Sequence, residues 1–135
     1  MTQGWEPVAD DELLFRRIPL SQENCFSPAE SDKPSKFAFR PRHYDSDGLS
    51  LTRAKYSIPE QEAGRAKKKG CFIAVLRAGD LRQHGIAIEA KPLPDNIGHV
   101  VLPGIRYDNR REPEVEAMQV LLAQKLCVEV LGPFK

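Results

Sequence analysis

Apolar positions in this chain fall into short runs separated by Pro, Gly and Asp clusters, the rhythm of a small sheet with few helices. Leu13-Leu14-Phe15-Arg16-Arg17-Ile18, stopped by Pro19, reads as a strand or a single helical turn. The strand is preferred, although so short a run shows no decisive period. Phe37-Ala38-Phe39-Arg40 before Pro41 reads as a brief strand. Asp45-Ser46-Asp47-Gly48 is a turn, because Asp bonds its own backbone locally and Gly accepts positive φ. Residues 49–54 then alternate apolar and polar, as a half-buried strand does. Cys71-Phe72-Ile73-Ala74-Val75-Leu76 is apolar without a break and predicts a central strand covered on both faces. Shorter strands follow at residues 86–90, 98–102 and 127–131.

Two helices interrupt this pattern. Ser57-Ile58-Pro59-Glu60 supplies a cap, a first-turn Pro and a capping-box Glu for a polar helix over about 58–69, closed by Gly70. Its apolar stripe, Ala63 and Ala66, is narrow, so it is expected to lie shallowly on the surface. Asp108 or Asn109 caps a second helix over about 112–126, in which Val115, Met118, Leu121, Leu122 and Leu126 keep helical spacing. The fold class expected is α+β: a single domain with a mixed sheet of five or six short strands and two main helices. A polar lead-in covers residues 1–12, with Trp5 as its one docking candidate, and residues 20–36 form a long irregular loop.

Composition changes this picture little. The chain has 135 residues, 41% hydrophobic and 29% charged, enough to bury a core without disulfide or metal staples. The longest apolar run is six residues, far below the ~20 that span a bilayer, so no membrane partner is expected. Three widely separated Cys and the absence of a leader pattern in residues 1–11 point to the cytoplasm, with the thiols free. Cys71 and Cys127 read as buried core residues, and Cys25, in a polar stretch, as exposed.

Charge is more informative. The net +1 conceals net −5 over residues 1–32, +7 over 33–91 and −1 over 92–135. Such segregation gives either a basic face or an acidic segment lying over the basic middle.

Motifs for metal and nucleotide chemistry fail. Asp45-x-Asp47-Gly48 matches part of a calcium loop, but His43 holds the first ligand position and Ala54 the place of the bidentate Glu. His43, His84 and His99 have no partner at ligand spacing, and no P-loop, dinucleotide fingerprint or nucleophile elbow occurs. No metal and no cofactor is therefore expected.

Two constellations remain. Arg40, Arg42, Arg53, Lys55, Lys67, Lys68 and Lys69, interleaved with Phe37, Phe39, Tyr44 and the His43 ring, form a binding set: cations neutralise phosphates and rings stack on bases. The second set is catalytic: Arg16, Ser50, Thr52 and Glu114, the last with Glu112 and Glu116 beside it. Their order along the chain is similar to the Arg, Ser-Thr-Ser, Glu-x-Glu order of ADP-ribosyltransferases. That resemblance implies an Arg on the dinucleotide phosphates and a Glu stabilising a developing sugar cation. Ser50-Leu51-Thr52 lacks the third hydroxyl, and the helix dipole already accounts for glutamates at a helix start.

With no complete catalytic motif, the sequence leans away from an enzyme. It favours a module that binds a protein partner within a larger assembly. The alternatives are a small enzyme acting on a nucleotide or nucleic acid, and nucleic-acid binding through residues 36–69.

Overall fold

A computed structural model describes residues 3–20, 24–65 and 70–135. The apolar runs become six strands: β1 (Leu13–Pro19), β2 (Leu49–Arg53), β3 (Cys71–Arg77), β4 (Glu89–Ala90), β5 (His99–Leu102) and β6 (Cys127–Phe134). They form one sheet in the order β4-β5-β2-β1-β3-β6. The α+β class holds, but the sheet is not mixed, since every strand pair is antiparallel. The connections between neighbours need no parallel crossover.

β3 lies between β1 and β6, and its alternate residues serve two clusters. Ala74 and Leu76 join Leu14, Ile18, Leu49, Leu51, Val100 and Leu102 on the main face. Ile73 and Val75 join Phe15, Cys71 and Ala63 on the other. That double duty is why the run is apolar at every position.

The helices depart further from expectation. α1 spans only Pro59–Ala63, and its N-cap is Ile58, not Ser57; the Ser57 hydroxyl turns to the Ile58 carbonyl instead. Beyond it Gly64 and Arg65 form a turn, and residues 66–69 of the expected helix lie outside the described residues. α1 is not shallow either: Glu62 is buried against β1 and β2. A short α2 (Ala78–Gln83) follows β3 directly. α3 (Pro113–Leu121) has the predicted apolar face, and its last turn, Leu122–Leu126, opens into a π turn before β6. Phe37-Ala38-Phe39 is a 3-10 turn (Lys36–Phe39), not a strand, and of the strand expected at 86–90 only Glu89–Ala90 pairs.

Gly48 explains one turn. Its φ is +144°, and a Cβ there would lie 2.5 Å from the Leu102 carbonyl oxygen, so only glycine lets the turn at 45–48 close onto β5.

The acidic lead-in lies over part of the basic middle. Arg53, with no exposed side-chain surface, donates to both Glu12 oxygens and to the Gly4, Glu6 and Pro7 carbonyls. Val8 docks the segment in the core, whereas Trp5 remains 61% exposed. Cys25 is also buried, contrary to the sequence reading, because the Ser35 N–H bonds the Cys25 carbonyl and folds the loop inward.

Candidate functional site

Three segments meet at a groove of about 510 Å³. The first wall is the 3-10 turn and the residues after it. Ser35 caps the turn, its hydroxyl accepting from the Phe37 N–H at 3.2 Å, and itself donates to the Asn24 carbonyl. With Ala38 and Phe39 committed to the core, Phe37 and Arg40 are left for the groove. Arg16 fixes this wall from inside. Its Nε donates to the Ala38 carbonyl at 3.1 Å, Nη1 to the Ser50 carbonyl at 3.0 Å and Nη2 to the Arg40 carbonyl at 3.5 Å.

Pro41, Arg42 and His43 form the floor. Asp45, 1% exposed, accepts from the Arg42 N–H at 2.7 Å and from Ser50 Oγ at 2.8 Å, so this carboxylate holds the backbone of the floor. The far wall is Tyr107 and Arg110. Asn109 secures their turn by bonding the Arg106 N–H and the Gly104 carbonyl, and buried Gln119 of α3 donates to the Arg110 carbonyl.

Among the described residues, the groove is lined by Arg40, Arg42, Arg110 and His43, with the rings of Phe37 and Tyr107, and by no carboxylate. The Arg110 guanidinium lies 3.8 Å from the Tyr107 ring centre, and Arg40 lies 5.8 Å from that of Phe37. Cation–π contact pre-orders planar donors beside planar rings. Cys25 lines the groove as well, but burial raises its thiol above the ordinary value, although Arg42 and Arg16 oppose this. A thiol held protonated in this way is a poor nucleophile.

Of the predicted binding set, Phe37, Arg40 and Arg42 come together here. Phe39 is fully buried, and Arg53 is spent on the lead-in. Lys55 approaches Glu6 at 3.9 Å, Tyr44 is exposed with its ring edge-on to His43, and Lys67, Lys68 and Lys69 lie outside the described residues.

Of the predicted catalytic set, Arg16, Ser50 and Thr52 are neighbours, with Arg16 Nη1 on the Ser50 carbonyl and both hydroxyls on β2, whereas Glu114 makes no contact with them through a hydrogen bond or ion pair. The Arg16 guanidinium is committed to main-chain carbonyls, and burial lowers its pKa from the ordinary arginine value. Glu114 is exposed in the first turn of α3. Thr52 instead donates to Glu62 at 3.1 Å and accepts from Asn96 at 3.0 Å. Glu62 also lies 3.5 Å from Arg17, and 3.1 Å from Arg65 Nε in an orientation too oblique for a hydrogen bond. Burial raises the Glu62 carboxyl above its ordinary value, against the opposing pull of Arg17, Thr52 and Arg65.

The sequence reading named His43 among the rings of the basic stretch but missed Tyr107 and Arg110. A signal for both exists in Arg106-Tyr107-Asp108-Asn109-Arg110-Arg111, a basic stretch with an embedded ring. No group of three or more His, Cys, Asp or Glu among the described residues is placed to hold a metal ion. No protein-family model, curated protein or solved structure matches this chain.

Proposed function

We propose that this domain binds a phosphate-bearing ligand with a flat ring, the chemistry of one nucleotide unit, in the groove between the 3-10 turn and Tyr107–Arg110. The observation that carries this reading is the lining: three arginines and a histidine beside two rings, with no acid among the described residues. Guanidinium forks match phosphate oxygens in two parallel hydrogen bonds. Phe37 and Tyr107 offer faces or edges for a base. The volume falls within the ~300–1,000 Å³ typical of small-ligand sites.

The unit can be a free nucleotide or one residue of a single strand, and titration separates them. Adenosine monophosphate and short single-stranded RNA and DNA are each titrated against the native protein, Arg40→Ala and Arg110→Ala over a range of salt. Each substitution should weaken binding about 10- to 100-fold, the value of a charge-assisted hydrogen bond. For a strand, each should also flatten the log–log salt dependence by about 0.7 for every phosphate no longer neutralised. Binding of neither ligand at low ionic strength, or binding by both variants as tight as that of the native protein, contradicts the proposal.

A protein partner within a larger assembly is a second reading, on a separate observation. β6 ends the sheet, and Val128 and Glu129 on it are exposed. An open strand edge offers main-chain donors and acceptors to another strand. Co-purification of the native protein tests this reading, and recovery as a lone monomer counts against it.

A further inference from the structure

The second face of the sheet carries a pair of side chains that do not line the groove. β2 and β5 pair with Ser50 opposite Val101 and Thr52 opposite His99. In an antiparallel ladder this register puts Ser50 and His99 diagonally on one face, within side-chain reach. His99 Nε2 lies 3.2 Å from Ser50 Oγ, while its Nδ1 lies 2.8 Å from the Lys91 carbonyl oxygen. A carbonyl only accepts, so the proton of the neutral ring sits on Nδ1, and the Nε2 lone pair faces the hydroxyl. That is the tautomer a general base requires. Both side chains are half-buried and so partly open to solvent, unlike Thr52 beside them at 2% exposure.

Ser50 Oγ also donates to Asp45 Oδ1 at 2.8 Å. One hydroxyl proton therefore has two acceptors, a carboxylate and an imidazole. The carboxylate is fixed by its second oxygen on the Arg42 N–H. The hydroxyl bonds one acceptor at a time, and turning its proton from Asp45 to Nε2 needs only rotation about the Cβ–Oγ bond, with no movement of the heavy atoms.

We propose that Ser50 is a nucleophile and His99 its general base, and that the reaction is acyl transfer from a carboxylic ester to water. Ser50 Oγ attacks the ester carbonyl carbon, and its proton passes to His99 Nε2. The bond from that carbon to the alkoxy oxygen breaks, and the departing alcohol takes the proton from His99. Water, deprotonated by the same nitrogen, then attacks the acyl-serine, releasing the acid and returning the proton to Ser50. Neither Ser50 nor His99 lines the groove, so the ester and the groove's ligand would occupy different places, although Ser50 also bonds the Asp45 carboxylate behind the groove floor.

The test uses a fluorophosphonate, which forms a phosphorus–oxygen bond to a nucleophilic serine and expels fluoride. The native full-length chain, Ser50→Ala and His99→Gln are treated in parallel and the modified peptide is mapped by mass spectrometry. Hydrolysis of p-nitrophenyl acetate is followed alongside, and circular dichroism checks that each variant is folded. One label per chain on the peptide containing Ser50 is expected. It should be absent in Ser50→Ala and form at least ~100-fold more slowly in His99→Gln, the usual contribution of a general base. No label on folded native protein, a label on another residue, or an unchanged rate in folded His99→Gln overturns the proposal. If His99→Gln does not fold, His99→Asn and the pH dependence of labelling of the native chain decide. A rate that does not fall when the imidazole is protonated refutes a histidine base.

Discussion

Arg53 and Glu12 meet in two parallel hydrogen bonds, Nε to Oε1 at 2.8 Å and Nη2 to Oε2 at 2.6 Å, where the arginine side chain has no exposed surface. This pair attaches the acidic lead-in to β2 and removes one cation from the basic middle of the chain. Arg53→Ala leaves a buried carboxylate without its partner, and such a loss costs about 3–5 kcal/mol. Urea unfolding should show that loss in full. Arg53→Lys should recover only part of it, since an ammonium cannot reproduce the planar fork. A variant as stable as the native chain would mean that the lead-in is not held through this pair.

Arg16 makes the same kind of prediction for a different reason. Three carbonyls, Ala38, Ser50 and Arg40, share one guanidinium inside the protein. Arg16→Met leaves them without this donor, and the buried Ala38 bond alone is expected to cost about 1–3 kcal/mol, with less for the part-buried Ser50 and Arg40 carbonyls. The thermal unfolding midpoint should therefore fall sharply, with the 3-10 turn at 36–39 loosened. An Arg16 variant of native stability would contradict the role assigned to this side chain.

Glu62 and Glu12 respond to pH in opposite senses. For Glu12, burial pulls the pKa upward, but hydrogen bonds from Arg53 and the Ala9 N–H outweigh it and hold the carboxyl below its ordinary 4.5. Its contribution is present above the unfolded value and is lost as pH falls through the folded one. For Glu62, burial prevails and the folded value lies above 4.5. The folded state then binds the proton more tightly than the unfolded state. The resulting stabilisation is complete below the unfolded value and is lost as pH rises through the folded value. Glu62→Gln should therefore gain on the native chain as pH rises from about 4 to about 8, measured by urea unfolding at each end. A stability difference that is constant with pH, or that moves the other way, contradicts the burial argument.

Gly48 offers a test of backbone geometry. Gly48→Ala places a Cβ 2.5 Å from the Leu102 carbonyl oxygen at a φ of +144°. A loss of at least about 1 kcal/mol is expected, since such conformations cost on the order of 1–3 kcal/mol for other residues. A neutral substitution would show that the 45–48 turn has room to shift.

The sheet was legible because strand burial is written in apolar runs. The two-faced cover of residues 71–76 and the turn ending at Gly48 follow directly from residue type. The N-cap of α1 was not legible, because the capping signature around Ser57 describes local preference, whereas the Ser57 side chain is buried and bonds elsewhere. The sense of the sheet was hidden too, since alternation shows which face a residue takes and not which strand lies beside it. Half of the groove was visible in Phe37, Arg40 and Arg42, which belong to the basic stretch read from the sequence. The other half was not, because Tyr107 and Arg110 stand some seventy residues away. Only the packing of α3 and the Asn109 turn brings them across. Charge runs also misled: Arg53 belongs to the basic segment by position, yet its guanidinium is consumed by Glu12 and three carbonyls.

Amide chemical-shift mapping tests most directly the proposed binding of a nucleotide unit in the groove. Titrating adenosine monophosphate into isotopically labelled protein should move the signals of Phe37, Arg40, Arg42, His43, Tyr107 and Arg110, which line the site. The shifts should saturate together and be greatly reduced in Arg40→Ala and Arg110→Ala. Shifts that cluster on another face, or none at low salt with either the nucleotide or a short single strand, would contradict the account.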